Sequence, residues 1–326
     1  MKILKKAEAG EPVSYIEAKE LFVLNDSAKL FETGQLVARQ NGEGITFYKN
    51  AFPPISVTGE KCSLNCHHCG GYYLKHMTPA TTNKQLVERC LKLQREKIPG
   101  IVLSGGSKPD GVVPLCEFAD GIREVKERTD LAVLAHTGPI NERQANILSR
   151  AGLDGALLDV IGSADTAEKV CGVRISPRRY TKTIDAVNKS GIGLSPHIIV
   201  GLDYGRVNGE LKALELLRTA DVDNICIIVL IPTKNTPMES VPPPSADTVG
   251  RVVAIAKLMY PDVPIALGCV RPGKTYRQAI DAAAVNAGAT RIAVPSLGAK
   301  KAAEELGLKI KEFDQMCCGF HNELQD

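Results

Sequence analysis

From Pro54 onward the chain alternates short apolar runs, rich in valine, isoleucine and leucine, with longer stretches whose apolar residues recur at helical spacing. The short runs are residues 55–58, 100–103, 132–135, 155–159, 195–200, 225–231, 264–267 and 291–294. Runs that are apolar at nearly every position predict strands covered on both faces. The amphipathic stretches predict helices centred near Leu91, Ile122, Ile147, Ile184, Leu214, Val253, Ile280 and Ala303. Eight such βα units predict an α/β fold, a closed (β/α)8 barrel of the TIM type, with an open six-stranded partial barrel plus a C-terminal appendage as the alternative. Residues 13–24 and 27–39 have helical spacing and 44–48 reads as a short strand. The expected organisation is an N-terminal helical extension over 1–50, the barrel over 51–310 and a C-terminal tail over 311–326.

In such a barrel the reactive groups lie on the loops after the strands. The first of these loops carries C-S-L-N-C-H-H-C-G-G, residues 62–71. Cys62, Cys66 and Cys69 have the spacing Cys-x3-Cys-x2-Cys, so one short loop can fold three thiolates around one inorganic centre. A 4Fe-4S cluster takes four thiolates, and three would leave one iron open to a cofactor. The alternative is a zinc knuckle built from Cys66, Cys69 and His67 or His68, but zinc sites usually pair two half-motifs and no second one follows at usable spacing.

Other candidates follow the same logic. Gly105 and Gly106 end the second unit, where backbone can approach a ligand closely. Asp159 ends the fourth strand and can accept hydrogen bonds from a ribose or an ammonium, or serve as a cap. Gly201 opens the loop after the fifth strand. Arg178 and Arg179, after the helix-start pair Ser176-Pro177, and Arg271 are candidate partners for a carboxylate, with solvated helix surface as the alternative for the first two and a loop salt bridge as the alternative for Arg271. His197, inside the fifth strand, reads as a barrel-interior histidine. Cys90, Cys116 and Cys226 read as small buried hydrophobes. Cys269 at the end of the seventh strand, Cys317 and Cys318 in the tail, and Cys171 after the fourth strand could converge on a second iron-sulfur cluster.

Composition narrows the class. Forty basic against 37 acidic residues give a net charge of +3, and there is no tryptophan, which argues against nucleic acid as an obligatory partner. No apolar run approaches a membrane span. Ten cysteines without a secretory signal fit a reducing compartment, so a cytoplasmic protein is expected.

The segments I-S-V-T-G-E-K-C-S-L-N-C-H-H-C-G-G, H-T-G-P-I-N-E-R-Q-A-N-I-L-S-R-A-G-L-D, I-V-G-L and P-T-K-N-T-P-M-E resemble the biotin-synthase-like radical S-adenosylmethionine (SAM) proteins. The resemblance implies a 4Fe-4S cluster on Cys62, Cys66 and Cys69 whose open iron chelates SAM and cleaves it to a 5'-deoxyadenosyl radical. Gly105 and Gly106 then match the segment that contacts the methionine amino group, although Ser107 stands where an acid is often found. Biotin synthase's auxiliary 2Fe-2S ligands are missing, because the corresponding positions are Ser104, Leu134, Ser195 and Ala266. Instead G-G-Y-Y-L-K-H-M, G-C-V-R-P and the Cys317-Cys318 pair look like the split lipoyl synthases, pairs of biotin-synthase-like proteins that act together. That likeness implies an auxiliary 4Fe-4S cluster and sulfur insertion into an octanoyl chain. Its partners would be a companion radical SAM protein, an octanoylated lipoyl-carrier protein or peptide, and a ferredoxin- or flavodoxin-type reductant. A mutase or cofactor-maturation enzyme of the same group, without sulfur transfer, is the alternative.

Overall fold

The computed structural model describes residues 2–42 and 44–320. Its strands are β1 (Ile45–Asn50), β2 (Pro54–Ser56), β3 (Thr78–Pro79), β4 (Gly100–Ser104), β5 (Ala132–His136), β6 (Gly155–Asp159), β7 (Gly193–Val200), β8 (Ile225–Val229), β9 (Ile265–Leu267), β10 (Arg291–Ala293) and β11 (Ile310–Gln315). They form one curled sheet in the order β11-β1-β10-β9-β8-β7-β6-β5-β4-β2-β3, with parallel pairing throughout. From β4 to β10 each neighbour is also the next strand in sequence, with helix between, as the alternating pattern predicts.

The expected ring of eight strands is not what forms: the ladder has eleven strands, and its edges are β3 and β11. The difference starts at Phe52-Pro53-Pro54, where two prolines without N–H donors interrupt the ladder and split one stretch of chain into β1 and β2. β1 then pairs with β10 and β11, while β2 pairs with β4 and β3. The strand assigned to the N-terminal extension is therefore part of the sheet. Of the helices before it, Tyr15–Phe22 and Ser27–Gln40 lie against helix Ala246–Met259, and Lys2–Glu8 lies against Ser27–Gln40. Val13 N donates to Leu258 O at 2.9 Å, and the Arg251 guanidinium donates to the carbonyls of Phe22 and Leu24.

Strand side chains alternate between two faces. Ile101, Leu103, Val133, Ala135, Leu158, Ile225 and Ile227 point outward into the core shared with the helices. Val102, Leu134, Leu157, Cys226, Ile228, Ala266 and Ala293 form a second, inner cluster. The end of the chain fills it. Met316, Cys318 and Phe320 belong to that inner cluster, so the segment after β11 turns into the lumen instead of trailing as a loose polar tail. Met316 N donates to Asn50 O at 3.0 Å, Arg291 Nη1 donates to Phe320 O at 3.3 Å, and the Phe320 ring lies 6.3 Å from that of Phe52. The rest of the expected tail, 321–326, lies outside the described residues.

If this segment is a structural plug, Phe320→Ala should destabilise the protein by about 3 kcal/mol, the lower end for a buried phenylalanine. Urea unfolding reads this directly, and an unchanged midpoint would mean that the segment does not pack in solution.

Candidate active site

The loop after β2 sits at the C-terminal mouth of the sheet, and Cys62, Cys66 and Cys69 line one cavity of about 320 Å³ there. The thiols of Cys66 and Cys69 and one ring nitrogen of His68 all lie within 4.8 Å of one another. Cys62 is exposed, and its sulfur accepts a hydrogen bond from Leu64 N at 3.4 Å. Several contacts hold the loop in place. Ser63 N donates to Ser107 O at 2.9 Å, His67 N donates to Val170 O at 2.7 Å, and His67 Nδ1 lies 2.6 Å from the Tyr204 hydroxyl. Gly106 N donates to Thr58 Oγ1 at 2.6 Å. A Cβ on Gly106 would collide with Lys61 O and Cys62, so this glycine exists as much for the cysteine loop as for any ligand.

A hydrogen bond to Cys171 and burial push the Cys66 thiol up, and a bond from Cys66 with burial does the same for Cys69. Ligand thiols must be deprotonated, so loading this loop with iron releases protons. Three soft donors around one cavity suit an iron-sulfur cluster, with Cys62 closing the set from the solvent side.

The remaining wall divides by chemistry. Ser104, Gly105 and Gly106 end β4, and His136 and Asp159 end β5 and β6. His136 Nδ1 lies 3.9 Å from the Asp159 carboxylate, and burial lowers its pKa to about 4, so its imidazole stays neutral. Leu74, Met77, Val113, Ile199, Ile228 and Val270 make the other side apolar.

The three candidate arginines do not reach this cavity. Arg178 is exposed, and Arg179 donates to Pro139 O at 3.3 Å and lies 3.5 Å from Asp110. Arg271 is fully buried and bound to Asp281 through two contacts, Nε to Oδ1 at 2.6 Å and Nη2 to Oδ2 at 3.0 Å. Its remaining donors go to Gly268 O and Val294 O. It therefore anchors the loop bearing Cys269 and has no free edge for a carboxylate. Gly201 is not in the cavity wall either. At φ +83° it makes a turn whose N–H donates to the buried Glu210 carboxylate at 2.8 Å.

A second set of thiols, Cys226, Cys317 and Cys318, lies in the lumen, with the exposed Cys269 near it. Cys226 and Cys318 have their sulfurs 4.0 Å apart, Cys317 hydrogen-bonds to Cys318, and Cys269 is close enough to perturb Cys226, Cys317 and, in turn, to be perturbed by Cys318. Bonds from Cys226 and Cys317 hold the Cys318 thiol down and their own thiols up. Cys171 is not among them. It ends helix Ala164–Cys171, and its carbonyl accepts from the Cys66 thiol at 3.9 Å, which places it at the first site. Cys226 takes its place, because alternation along β8 turns residues 226 and 228 inward. The strand phase was visible in sequence; the neighbour brought to it by the tail was not. His136 opens the H-T-G-P segment after the third strand and Tyr204 lies in the loop that Gly201 opens, whereas Glu210 carried no sequence signal.

A curled parallel sheet carries a three-cysteine loop at its mouth, a donor set that suits an iron-sulfur cluster. The family model of the radical SAM superfamily matches residues 56–205. The chain is 28% identical to biotin synthase of Chlamydia pneumoniae over 235 residues, covering 69% of each chain. It is 26% identical to biotin synthase of Brachyspira hyodysenteriae over 282 residues, covering 81% of this chain and 83% of that one. A 7,8-didemethyl-8-hydroxy-5-deazariboflavin synthase of Halobacterium salinarum is 22% identical over 233 residues, 67% of this chain and 62% of the other. In fold it is similar to methylornithine synthase, with TM-score 0.67, 15% identity and coverage of 95% and 97%. The hydrogenase maturase HydG of Carboxydothermus hydrogenoformans gives TM-score 0.68 at 16% identity, with coverage of 90% and 69%. The chain is therefore a radical SAM enzyme related to biotin synthase, and that relationship implies a 4Fe-4S cluster and SAM. Among the described residues no helix is long and apolar enough to cross a membrane.

Two outcomes test this geometry. Gly106→Val should lower iron loading of the cysteine loop after anaerobic reconstitution while the far-ultraviolet spectrum stays native, because the new side chain has to displace Lys61 and Cys62. Glu210, whose pKa burial raises from 4.5 to about 7, binds its proton more tightly folded than unfolded. Stability should therefore be full below about 4.5 and fall as pH rises to about 7, by up to about 3 kcal/mol. Glu210→Gln should flatten that dependence in pH-resolved urea melts.

Proposed function

We propose that the protein is one component of a lipoyl synthase, inserting sulfur into a protein-bound octanoyl chain. The observation that carries this reading is the group of thiols Cys226, Cys317 and Cys318 in the lumen below the cavity, with the exposed Cys269 close enough to interact with them. Buried apolar surroundings alone do not require clustered cysteines, whereas an auxiliary iron-sulfur cluster does. Soft sulfur donors fit it, and Gly268 leaves the space that the Cys226 sulfur occupies, since a Cβ there would fall 2.7 Å from it. Ile199, Ile228 and Val270 line the cavity and also pack on the lumen cluster, so one apolar partition separates the two thiol groups.

An unactivated C–H bond has no acidic proton, and when bound the cofactors supply a radical that removes its hydrogen. The chain's own residues then do the positioning. The apolar wall receives an alkyl chain and excludes water, Asp159 and the ends of β4 and β5 present polar groups to the SAM side, and Cys62, Cys66 and Cys69 hold the reducing centre. On this reading the partners are a companion radical SAM protein, an octanoylated lipoyl carrier and a ferredoxin- or flavodoxin-type reductant, and the setting is a reducing cytoplasm.

Anaerobic reconstitution should give about eight irons per chain. Cys226→Ala combined with Cys318→Ala should reduce that to about four, keep SAM cleavage to 5'-deoxyadenosine, and abolish the mass gain of sulfur on an octanoylated carrier peptide assayed with the companion protein. About four irons in the unmodified protein would reject the reading in favour of chemistry without a sulfur donor.

A further inference from the structure

His197 stands beside the lumen thiols by register. It is the direct partner of Cys226 across the β7–β8 pair, and in parallel strands register partners project from the same face. Its neighbours along that face confirm the direction. Ser195 packs on Gly319 of the inserted segment, and Ile199 borders the cavity. Cys318, whose sulfur is 4.0 Å from that of Cys226, lies close enough to His197 for the two to interact.

The ring's orientation follows from one bond. His197 Nδ1 lies 3.0 Å from Ser195 O. A carbonyl oxygen can only accept, so Nδ1 carries a proton and Nε2 is the ring nitrogen left for another partner. This is how metal-binding histidines are ordinarily fixed, one nitrogen donating to a carbonyl and the other left for the metal. The neighbouring layer is small: the next register partner of Cys226 is Ala266.

The count of sulfur ligands also leaves room. Cys317 and Cys318 are adjacent in the chain, and neighbouring side chains rarely turn to one centre without backbone strain. The pair therefore supplies one thiolate, and Cys226 and Cys269 supply two more. Ser195, the other polar group on this stretch of β7, already donates to Asn224 Oδ1 at 2.9 Å. We propose that His197 Nε2 is the fourth ligand of the lumen cluster, giving it a set of three sulfurs and one nitrogen. This rests on the reading of the lumen thiols as cluster ligands. Histidine in place of cysteine raises the potential of an iron-sulfur centre, which would separate this cluster from the SAM-binding one.

The test uses the full chain with Cys62, Cys66 and Cys69 all changed to alanine, so that only the lumen cluster remains. After anaerobic reconstitution and reduction, pulsed electron paramagnetic resonance is recorded on protein made with ordinary and with nitrogen-15 histidine. The expected result is about four irons and a strong nitrogen coupling that changes with the isotope and disappears in His197→Gln. His197→Cys guards against simple loss of the cluster: it should keep the iron, lose the nitrogen coupling and lower the midpoint potential. A cluster present without strong histidine coupling, or with coupling unchanged in both variants, overturns the ligand assignment and leaves the lumen thiols standing. Absence of iron from the parent overturns the reading of the thiols and this inference with it.

Discussion

The lumen of a curled parallel sheet has to be filled, and here the chain's own end fills it. Small residues at the inward positions, Ala266 and Ala293 among them, leave space that Met316, Cys318 and Phe320 occupy. The same insertion that satisfies packing carries two cysteines to Cys226 and sets them under the cavity. Stability and chemistry thus share one contact surface. The segment enters from β11, which pairs with β1, and so the edge strand added to the barrel is what aims it.

Two loop anchors position the mouth from opposite sides. On one, Gly106, Thr58, Ser107 and Ser63 join the end of β4 to the cysteine loop through short backbone contacts. On the other, the buried Arg271–Asp281 pair ties together Gly268, Val294 and Ser296, around the loop that carries Cys269. Removing one member of such a pair leaves a buried charge without its partner, the costly case for buried ions. Its geometry explains why a cation that looked available for a cofactor carboxylate is instead committed to the scaffold.

Between the two thiol groups the wall is mostly apolar, with His136 and Asp159 at the upper end and His197 at the lower. The His136 and His197 rings meet edge to face at 5.3 Å. Burial keeps the His136 imidazole neutral, so the Asp159 carboxylate beside it is the charged group at the upper end of this wall.

The sequence by itself determined the parallel βα alternation, because apolar runs covered on both faces have no other stable arrangement, and it determined the cysteine loop, because three ligands within eight residues need no distant partner. It also placed Gly105, Gly106 and Asp159 at the mouth, since the ends of parallel strands share one side of a sheet. Closure, and the fate of distant residues, were decided only by tertiary structure. The strands beyond the expected eight, β1, β3 and β11, join the sheet through pairings that local pattern does not encode. Arg271 found Asp281 ten residues away in a buried pair, Cys171 went to the first site, and Cys226 met Cys318 across 92 residues of chain. Such meetings depend on strand register and on where the end of the chain is packed, quantities set by the whole sheet and not by any one segment of it.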